Sequence, residues 1–252
     1  MQMLATMRRM SAPHWVGLYL CVFAAWGGLY LMQVPPELRE LGELYGAEFW
    51  REFCSIEAGW AGAPTIFGMW LLMSAAMMAP TAIPAFVTWE DLTVSGAARG
   101  FGAITLGYLG VWAGFSAIAT VFQVILSEWQ VIDTLGRSQN DVLTAGLLAG
   151  AGAYQFSALK EACLSKCRKP LTFFMQHWDE GPLRMGVRLG AVCLGCCWAL
   201  MALAFVGGTM NLLWMGGAMV LMFFEKMPDI GQHLTRPVGA ALIGAAGWVL
   251  FF

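Results

Sequence analysis

Apolar residues fill long stretches of this chain, and polar residues collect in the short segments between them. A membrane-spanning helix needs about 20 mainly apolar residues. By this measure the pattern predicts seven candidate spans. They cover residues 14–32, 65–88, 101–126, 142–162, 187–206, 210–224 and 238–252. The last is short for a full span, and Gly207, Gly208 and Thr209 predict a tight hairpin between the fifth and sixth.

The composition agrees with this pattern. Of the 252 residues, 59% are hydrophobic and 12% are charged, about half the 25% charged residues of soluble domains. We therefore expect an all-α, polytopic transmembrane bundle of about seven helices, forming a single integral membrane domain over residues 1–252. Its expected partner is the lipid bilayer. No basic block suggests nucleic acid, and no nucleophile, phosphate-loop or dinucleotide motif predicts catalytic residues, which argues against an enzyme.

The basic residues predict an orientation, because cytoplasmic loops carry an excess of Lys and Arg. With the N-terminus inside, eleven of the fourteen fall in inner segments. These eleven are Arg8, Arg9, Arg99, Lys160, Lys166, Arg168, Lys169, Arg184, Arg188, Lys226 and Arg236. The C-terminus would then lie outside if the last segment spans the bilayer.

The first outer loop, residues 33–64, is rich in glutamate. Within it Leu38, Leu41, Leu44, Tyr45 and Phe49 recur at helical spacing. This spacing predicts an amphipathic helix lying in the membrane interface. A cation-gathering acidic surface is the alternative.

Five of the seven cysteines form two groups. Cys193, Cys196 and Cys197 lie in a run without charge, residues 189–224, and share one face of a helix. Cys163 and Cys167 are four residues apart among basic residues, which favour the thiolate that ligates metals. The topology places all five thiols toward the inner side. The alternatives are close packing by small residues for the first group and a topological role for the basic residues around the second.

Methionines recur on two predicted helices. On the second, Met73 and Met77 are four residues apart and Met78 adjoins them; on the sixth, Met215 and Met219 share a face. Thioethers suit Cu(I), although methionine also fills gaps in ordinary packing. Pro80 and Pro84 on the second helix predict a kink or an unwound segment. The sequence leaves ligation and packing open.

Ionisable residues at membrane depth are candidate functional groups. Glu225, a further candidate metal ligand, stands beside Lys226 at the predicted inner boundary. There Lys226 could reach the interface, and Glu225 could pair with it, with Arg184 or with Arg188. His177 could complete a thiolate site with Cys163 and Cys167, or it could be a solvated loop residue.

Three segments carry a resemblance to a known family. They read LMSAAMMAPTAIP (72–84), YQFSALKEACLSKCRKP (154–170) and CLGCCWALMALAFVGGTMNLLWM (193–215), the last followed by Glu225 and Lys226. Over residues 69–228 the chain resembles the DUF2182 family, bacterial integral membrane proteins of unknown function labelled as predicted metal-binding. The matching residues are Met77, Met78, Pro80, Tyr154, Gln155, Lys160, Cys163, Cys167, Pro170, Cys193, Cys196, Cys197, Trp198, Asn211, Glu225 and Lys226.

The resemblance implies a multi-pass protein of the bacterial inner membrane that binds a metal. Together with the sulfur donors, it leads to the hypothesis of soft-metal handling, with copper as Cu(I) the favoured ion. The candidate ligands are Cys163, Cys167, Cys193, Cys196, Cys197, Met73, Met77, Met78, Met215, Met219 and Glu225. Two alternatives remain, an accessory subunit that packs against other membrane subunits and a membrane thiol redox protein.

Overall fold

The computed structural model describes residues 13–33, 59–93, 97–133 and 135–251. The predicted interfacial helix, the acidic loop around it and Cys54 lie outside these residues. The described chain forms α1 (Pro13–Gln33), α2 (Ala63–Leu92), α3 (Ala97–Glu128), α4 (Asp141–Gln155), α5 (Ala158–Arg168), α6 (Pro170–Gln176), α7 (Pro182–Ala202), α8 (Leu212–Lys226) and α9 (Pro228–Phe251). Short 3₁₀ turns at Gly59–Gly62 and Trp178–Glu180 and a helical turn at Ala204–Gly207 connect them. The all-α prediction is therefore confirmed for these residues.

The described residues contain fewer candidate membrane spans than the seven that the sequence pattern predicted. Five helical segments in the described residues are long and apolar enough to span a membrane, which is compatible with a multi-pass protein. They are Pro13–Met32, Gly59–Leu92, Gly100–Glu128, Pro182–Gly207 and Pro228–Phe251. A sixth arises if Asp141–Gln155 and Ala158–Arg168, which meet at 62°, count as one broken span. The expectation of about seven is not confirmed.

Two of the predicted spans differ for local reasons. The fourth breaks because Ser157 leaves the helical conformation and caps α5, its side chain accepting a hydrogen bond from the Lys160 amide at 3.1 Å. The predicted sixth span corresponds to α8, which has 15 residues. At 1.5 Å per residue it extends about 22 Å, which is short of a full span. It ends at Lys226, and α9 begins two residues later at Pro228. The seventh span is correspondingly longer than predicted.

The bundle has two ends that serve as reference points. At the end that we call the Glu90 end, His14 and Trp15 of α1 contact the Glu90 carboxylate at 3.2 and 2.6 Å. At the opposite end, the Thr209 end, the Thr209 hydroxyl donates to the Leu135 carbonyl at 3.0 Å. Helix α7 runs from the first toward the second, and α8 returns only as far as Lys226.

Helix α2 continues through both of its prolines, so the predicted unwinding does not occur. Pro80 lacks an N–H and leaves the Ala76 carbonyl without its helical donor. The Trp26 indole N–H of α1 donates to this carbonyl at 3.1 Å instead. A neighbouring helix therefore satisfies the backbone group that the proline frees, as a membrane interior requires.

Glycines bring α3 and α7 into close contact. A Cβ atom added at Gly190 of α7 would lie 3.0 Å from the Tyr108 carbonyl of α3, and one at Gly186 would meet the Ile104 backbone. The approach depends on these small residues. It places Tyr108 beside Cys193, which lies one turn further along α7.

Candidate metal centre

Three thiols of α7 meet inside the bundle. The Sγ atoms of Cys193, Cys196 and Cys197 all lie within 4.8 Å of one another, and all three residues are buried. The helical offsets of three and four produce this grouping, because they place the side chains on one face. The Cys196 and Cys197 Sγ atoms are 3.2 Å apart, and the Cys196 thiol donates to the Cys193 carbonyl at 3.1 Å.

Helix α5 adds a fourth thiol. Its Cys167 Sγ lies 3.9 Å from the Cys196 Sγ, so the two cysteine groups of the sequence converge. We call Cys167, Cys193, Cys196 and Cys197 the thiol cluster. Cys163 packs against Gly195, where an added Cβ would lie 2.6 Å from the Cys163 Sγ. Gly195 thus permits the contact that brings α5 onto α7.

The bend between α4 and α5 is what makes this contact geometrically feasible. Both helices contact α7 at the level of the cluster. The Tyr154 hydroxyl of α4 donates to the Gly195 carbonyl, and Cys163 of α5 packs against Gly195. The Tyr154 ring also packs edge-on against Trp198 of α7, with centroids 5.1 Å apart. A straight helix over residues 142–162, as the sequence pattern predicted, would carry Cys167 further along the axis of α4.

A lysine lies against the thiol cluster. The Lys226 Nζ atom donates to the Cys193 Sγ at 3.1 Å and to the Thr81 hydroxyl at 2.6 Å. The Tyr108 Oη atom lies 3.1 Å from the same sulfur and donates to the Met78 carbonyl at 2.9 Å. The prediction that Lys226 reaches the interface is wrong, because α8 ends beside α2 and α7 inside the bundle and Lys226 is only 8% exposed.

A buried ion pair stands next to the cluster. The Lys160 Nζ atom of α5 lies 2.9 Å from the Glu225 Oε2 atom of α8, and the two side chains are 1% and 2% exposed. The prediction that Glu225 pairs with Lys226, Arg184 or Arg188 is therefore wrong. Within the described residues the second carboxylate oxygen of Glu225 has no hydrogen-bond partner. Glu225 lies outside the group of three thiols, and its role as a metal ligand stays a prediction.

A cavity of about 350 Å³ opens onto the thiol cluster. We call it the thiol cavity. Helices α2, α3, α5, α7 and α8 and the starts of α6 and α9 line it with Thr81, Tyr108, Cys167, Cys193, Lys226 and Pro228, among others. Cys167 is only partly buried. Cys167 and Cys193 therefore border the cavity, while Cys196 and Cys197 do not line it.

The candidate methionines do not join the thiol cluster as one group. Met73, Met77 and Met215, together with Met201, line a separate cavity of about 10 Å³. Met78 is buried, and its carbonyl holds Tyr108. Met219 is partly buried beside the core. Three of the five predicted methionines therefore line one cavity, and the other two do not. Met201, which was not among the predicted ligands, joins the first group.

His177 lies elsewhere. Its Nδ1 atom is 2.8 Å from the Phe173 carbonyl, and its ring packs on the Phe173 ring with centroids 5.0 Å apart. Helix α6 places this region near the Glu90 end, where Phe174 contacts Trp89. His177 therefore has a structural contact, and its part in a thiolate site stays a prediction.

Comparison with known proteins connects this geometry to copper. The model of the family PpoB2, described as copper chaperone, matches residues 67–249, nearly three quarters of the chain. The chain belongs to this family. The match covers the whole thiol cluster and agrees with the copper-related part of the expectation, but it does not bear on the name DUF2182. No curated protein matches the chain, and no solved structure matches it.

The sequence pattern predicted no contact of Tyr108 or Lys226 with the thiols, for identifiable reasons. Tyr108 stands in an apolar segment where no spacing distinguishes it from the other aromatic residues. Lys226 was noticed, but the sequence pattern placed it at the membrane boundary. The signal that could have corrected this is the length of its helix, because 15 residues do not cross a bilayer.

Proposed function

We propose that this chain is a membrane copper chaperone that holds Cu(I) on the thiol cluster and passes it on through the thiol cavity. The observation that carries the proposal is the approach of four thiols from two helices. Three lie within 4.8 Å of one another, and the fourth lies 3.9 Å from Cys196. Copper is the cargo in this proposal.

The spacing suits a soft monovalent ion. Metal–thiolate bonds of about 2.3 Å place three sulfurs of a trigonal site about 4 Å apart. The thiols need only small side-chain rotations to reach that spacing. Thiolates are the donors that Cu(I) prefers.

Lys226 supplies the charge balance. With two of the three sulfurs as thiolates and the third as a neutral thiol, the Cu(I) site carries a net charge of −1, and burying an unpaired charge in a membrane is costly. The ammonium group of Lys226 lies 3.1 Å from the Cys193 sulfur and compensates that charge. It is a positioning residue rather than a ligand, because an ammonium group has no lone pair to donate.

Cys167 is the thiol suited to transfer. It borders the thiol cavity and contacts the buried Cys196, so a ligand exchange could proceed from Cys196 to Cys167 and then to an incoming thiolate. Each step replaces one copper–sulfur bond by another and changes no oxidation state. The cavity volume of about 350 Å³ admits a small thiol or the tip of a partner loop.

We place the chain in the bacterial inner membrane, and the excess of basic residues at the inner segments supports a cytoplasmic N-terminus there. Helix α1 begins at the Glu90 end, and α9 runs antiparallel to α4 toward the Thr209 end, with Gly152 against Ile243 and Gln155 against Gly239. In this orientation the C-terminus lies outside. Reporter fusions at the two termini test the proposal, and a cytoplasmic C-terminus would contradict it.

Copper content tests the function. The full chain is purified anaerobically in detergent, loaded with Cu(I) and analysed for copper per chain and for Cu–S scattering by X-ray absorption. We expect the triple variant C193S/C196S/C197S to lose the thiolate-bound copper, because serine is a hard donor. The matched control is Cys21→Ser, which changes an exposed thiol of α1. Unchanged thiolate scattering in the triple variant would refute the proposal.

A thiol redox protein is the second candidate, favoured by the 3.9 Å approach of Cys167 and Cys196. Exchange with a small disulfide would form one bond between these two sulfurs and release two small thiols. Mass spectrometry of the copper-free chain after incubation with such a disulfide tests this. Free Cys167 and Cys196 after prolonged incubation would exclude the redox reaction.

A further inference from the structure

The small methionine-lined cavity lies in the same helix interface as the thiol cluster. Helices α2, α7 and α8 line this cavity, and the same three helices meet at Cys193, Lys226 and Thr81 beside the cluster. On α7, Cys193, Cys197 and Met201 follow at steps of four residues, about 6 Å each. The cavity therefore begins about one turn beyond the last thiol, toward the Thr209 end.

Residues of α2 lie at the same depths in the bundle as these residues of α7. Thr81 and Cys193 both contact Lys226, which fixes the register of α2 against α7. Two steps of four residues from Thr81 lead to Met77 and Met73. Beyond Cys197, the next sulfur donors toward the Thr209 end are therefore Met201 on α7 and Met77 and Met73 on α2.

The lining of this cavity, rather than its size, distinguishes it from an ordinary packing void. Four of its eight lining residues are methionine, and Met73, Met77, Met201 and Met215 are at most 2% exposed. Methionine is the side chain best able to fill an irregular gap, yet a space of about 10 Å³ remains between four of them. That volume is about one water-sized sphere, but a water molecule needs two to four polar partners. The other lining residues are Leu200, Ala204, Trp214 and Ala218, which offer it few.

We propose that Met73, Met77, Met201 and Met215 form a second Cu(I) site, made of thioethers alone. Thioethers are soft, uncharged donors and bind Cu(I) in preference to harder ions. Because they do not neutralise the charge of the ion, this site binds copper more weakly than the thiolates beside Lys226. Copper therefore moves from the methionines to the thiol cluster, which lies one to two helical turns away. This inference rests on the proposed function, since the thiol cluster is the acceptor.

Selenium labelling tests the site directly. The full chain is produced with selenomethionine, loaded anaerobically with Cu(I), and its copper absorption edge is analysed for Cu–Se scattering. We expect Cu–Se scattering beside Cu–S scattering, and about two copper ions per chain in place of one. The variant M73L/M77L/M201L/M215L should lose the Cu–Se signal and one copper ion, while it keeps the Cu–S signal.

Two controls make the result specific. The variant M69L/M185L makes the same nearly volume-conserving change at buried methionines outside the cavity, and it should keep both signals. If the quadruple variant does not fold, the pairs M73L/M77L and M201L/M215L replace it, and each should reduce the Cu–Se signal.

The outcomes separate the two proposals. Cu–S scattering without Cu–Se scattering in the labelled wild-type chain would overturn the methionine site, whose cavity would then be a packing void only. The thiol site would not be affected by this result. Cu–Se scattering that persists in C193S/C196S/C197S supports the methionine site independently. Copper scattering that the triple variant does not change, with Cu–Se present, would support the methionine site while refuting the thiol site.

Discussion

Two cavities of nearly equal size differ in what lines them. The thiol cavity measures about 350 Å³ and presents Cys167, Cys193 and Lys226. A second cavity between α1, α2 and α3, which we call the α1 cavity, measures about 360 Å³ and presents Cys21 and Ser74 among alanine, leucine and tryptophan. Volume therefore does not distinguish a candidate site in this protein. The convergence of thiols and charges does.

The two cavities have different linings because one lies between long helices and the other lies where helices end. The α1 cavity lies between three long helices, whose faces toward one another are almost wholly apolar. The thiol cavity lies where helices end, at the end of α5, the start of α6 and the junction of α8 and α9. Broken helices at membrane depth occur where they are buried in protein or line a cavity. They also deliver charged terminal residues such as Lys226 to the interior.

Breaking the buried ion pair beside the thiol cavity should have the largest effect on stability. Lys160→Met leaves the Glu225 carboxylate buried without its cation, and we expect a loss of about 3–5 kcal/mol in the free energy of unfolding. Denaturation in detergent measures it. The matched control is Arg188→Met, because Arg188 pairs with Glu180 at the surface with 54% of its side chain exposed, and such pairs contribute about 0–1 kcal/mol.

The double variant K160M/E225M sharpens this prediction. An apolar pair of similar volume should recover most of the lost stability. Equal losses in Lys160→Met and Arg188→Met would show that the buried pair contributes no more than a surface pair.

Removing the cation of the thiol cavity should weaken copper binding. Lys226→Met deletes the hydrogen bonds to Thr81 and Cys193, and we expect copper affinity at the thiols to fall about 10–100-fold. Competition with a Cu(I) chelator measures the affinity. Cys21→Ser in the α1 cavity should leave it unchanged. An affinity in Lys226→Met equal to that of the wild type would contradict the charge-balance role.

Separating α5 from α7 should have an intermediate effect on stability and should weaken the approach of Cys167 to Cys196. In Gly195→Ala the new Cβ would lie 2.6 Å from the Cys163 Sγ, and overpacking of this kind costs about 1–3 kcal/mol. We expect Cys167 to move away from Cys196, which a drop in the yield of oxidative cross-linking between them measures. The control is Gly28→Ala beside the α1 cavity, where the Cβ lies 3.2 Å from the end of the flexible Leu72 side chain. The prediction fails if both variants cross-link as the wild type does.

The smallest effect should come from the α1 cavity. Ser74→Ala removes the contact between the Ser74 and Ser116 hydroxyls at 3.1 Å, a loss of about 0.5–1.5 kcal/mol. Ser116 keeps its bond to the Trp112 carbonyl. Copper content should equal that of the wild type. Loss of copper in Ser74→Ala would abolish the distinction between the two cavities.

The sequence predicted the helical class and the grouping of Cys193, Cys196 and Cys197 correctly. The grouping of Cys193, Cys196 and Cys197 follows from helical spacing, because one turn of a helix is a local geometry. The count of about seven spans is not confirmed, since hydropathy cannot show that Ser157 interrupts one apolar segment or that α8 has only 15 residues. Cys193 also lies about 16 Å along α7, because the helix begins at Pro182 and not at residue 187, where the predicted fifth span begins.

By itself, the sequence determined which donors this protein has and which of them share a helix face. Only the tertiary structure decided that Cys167 meets Cys196, that Lys226 turns toward Cys193, and that Met201 joins Met73 and Met215. The reason is physical: contacts within a helix follow from its fixed rise and turn, whereas contacts between helices depend on bends, ends and close-packed glycines. Those features bring distant residues to the same depth, and no periodicity along one segment records them.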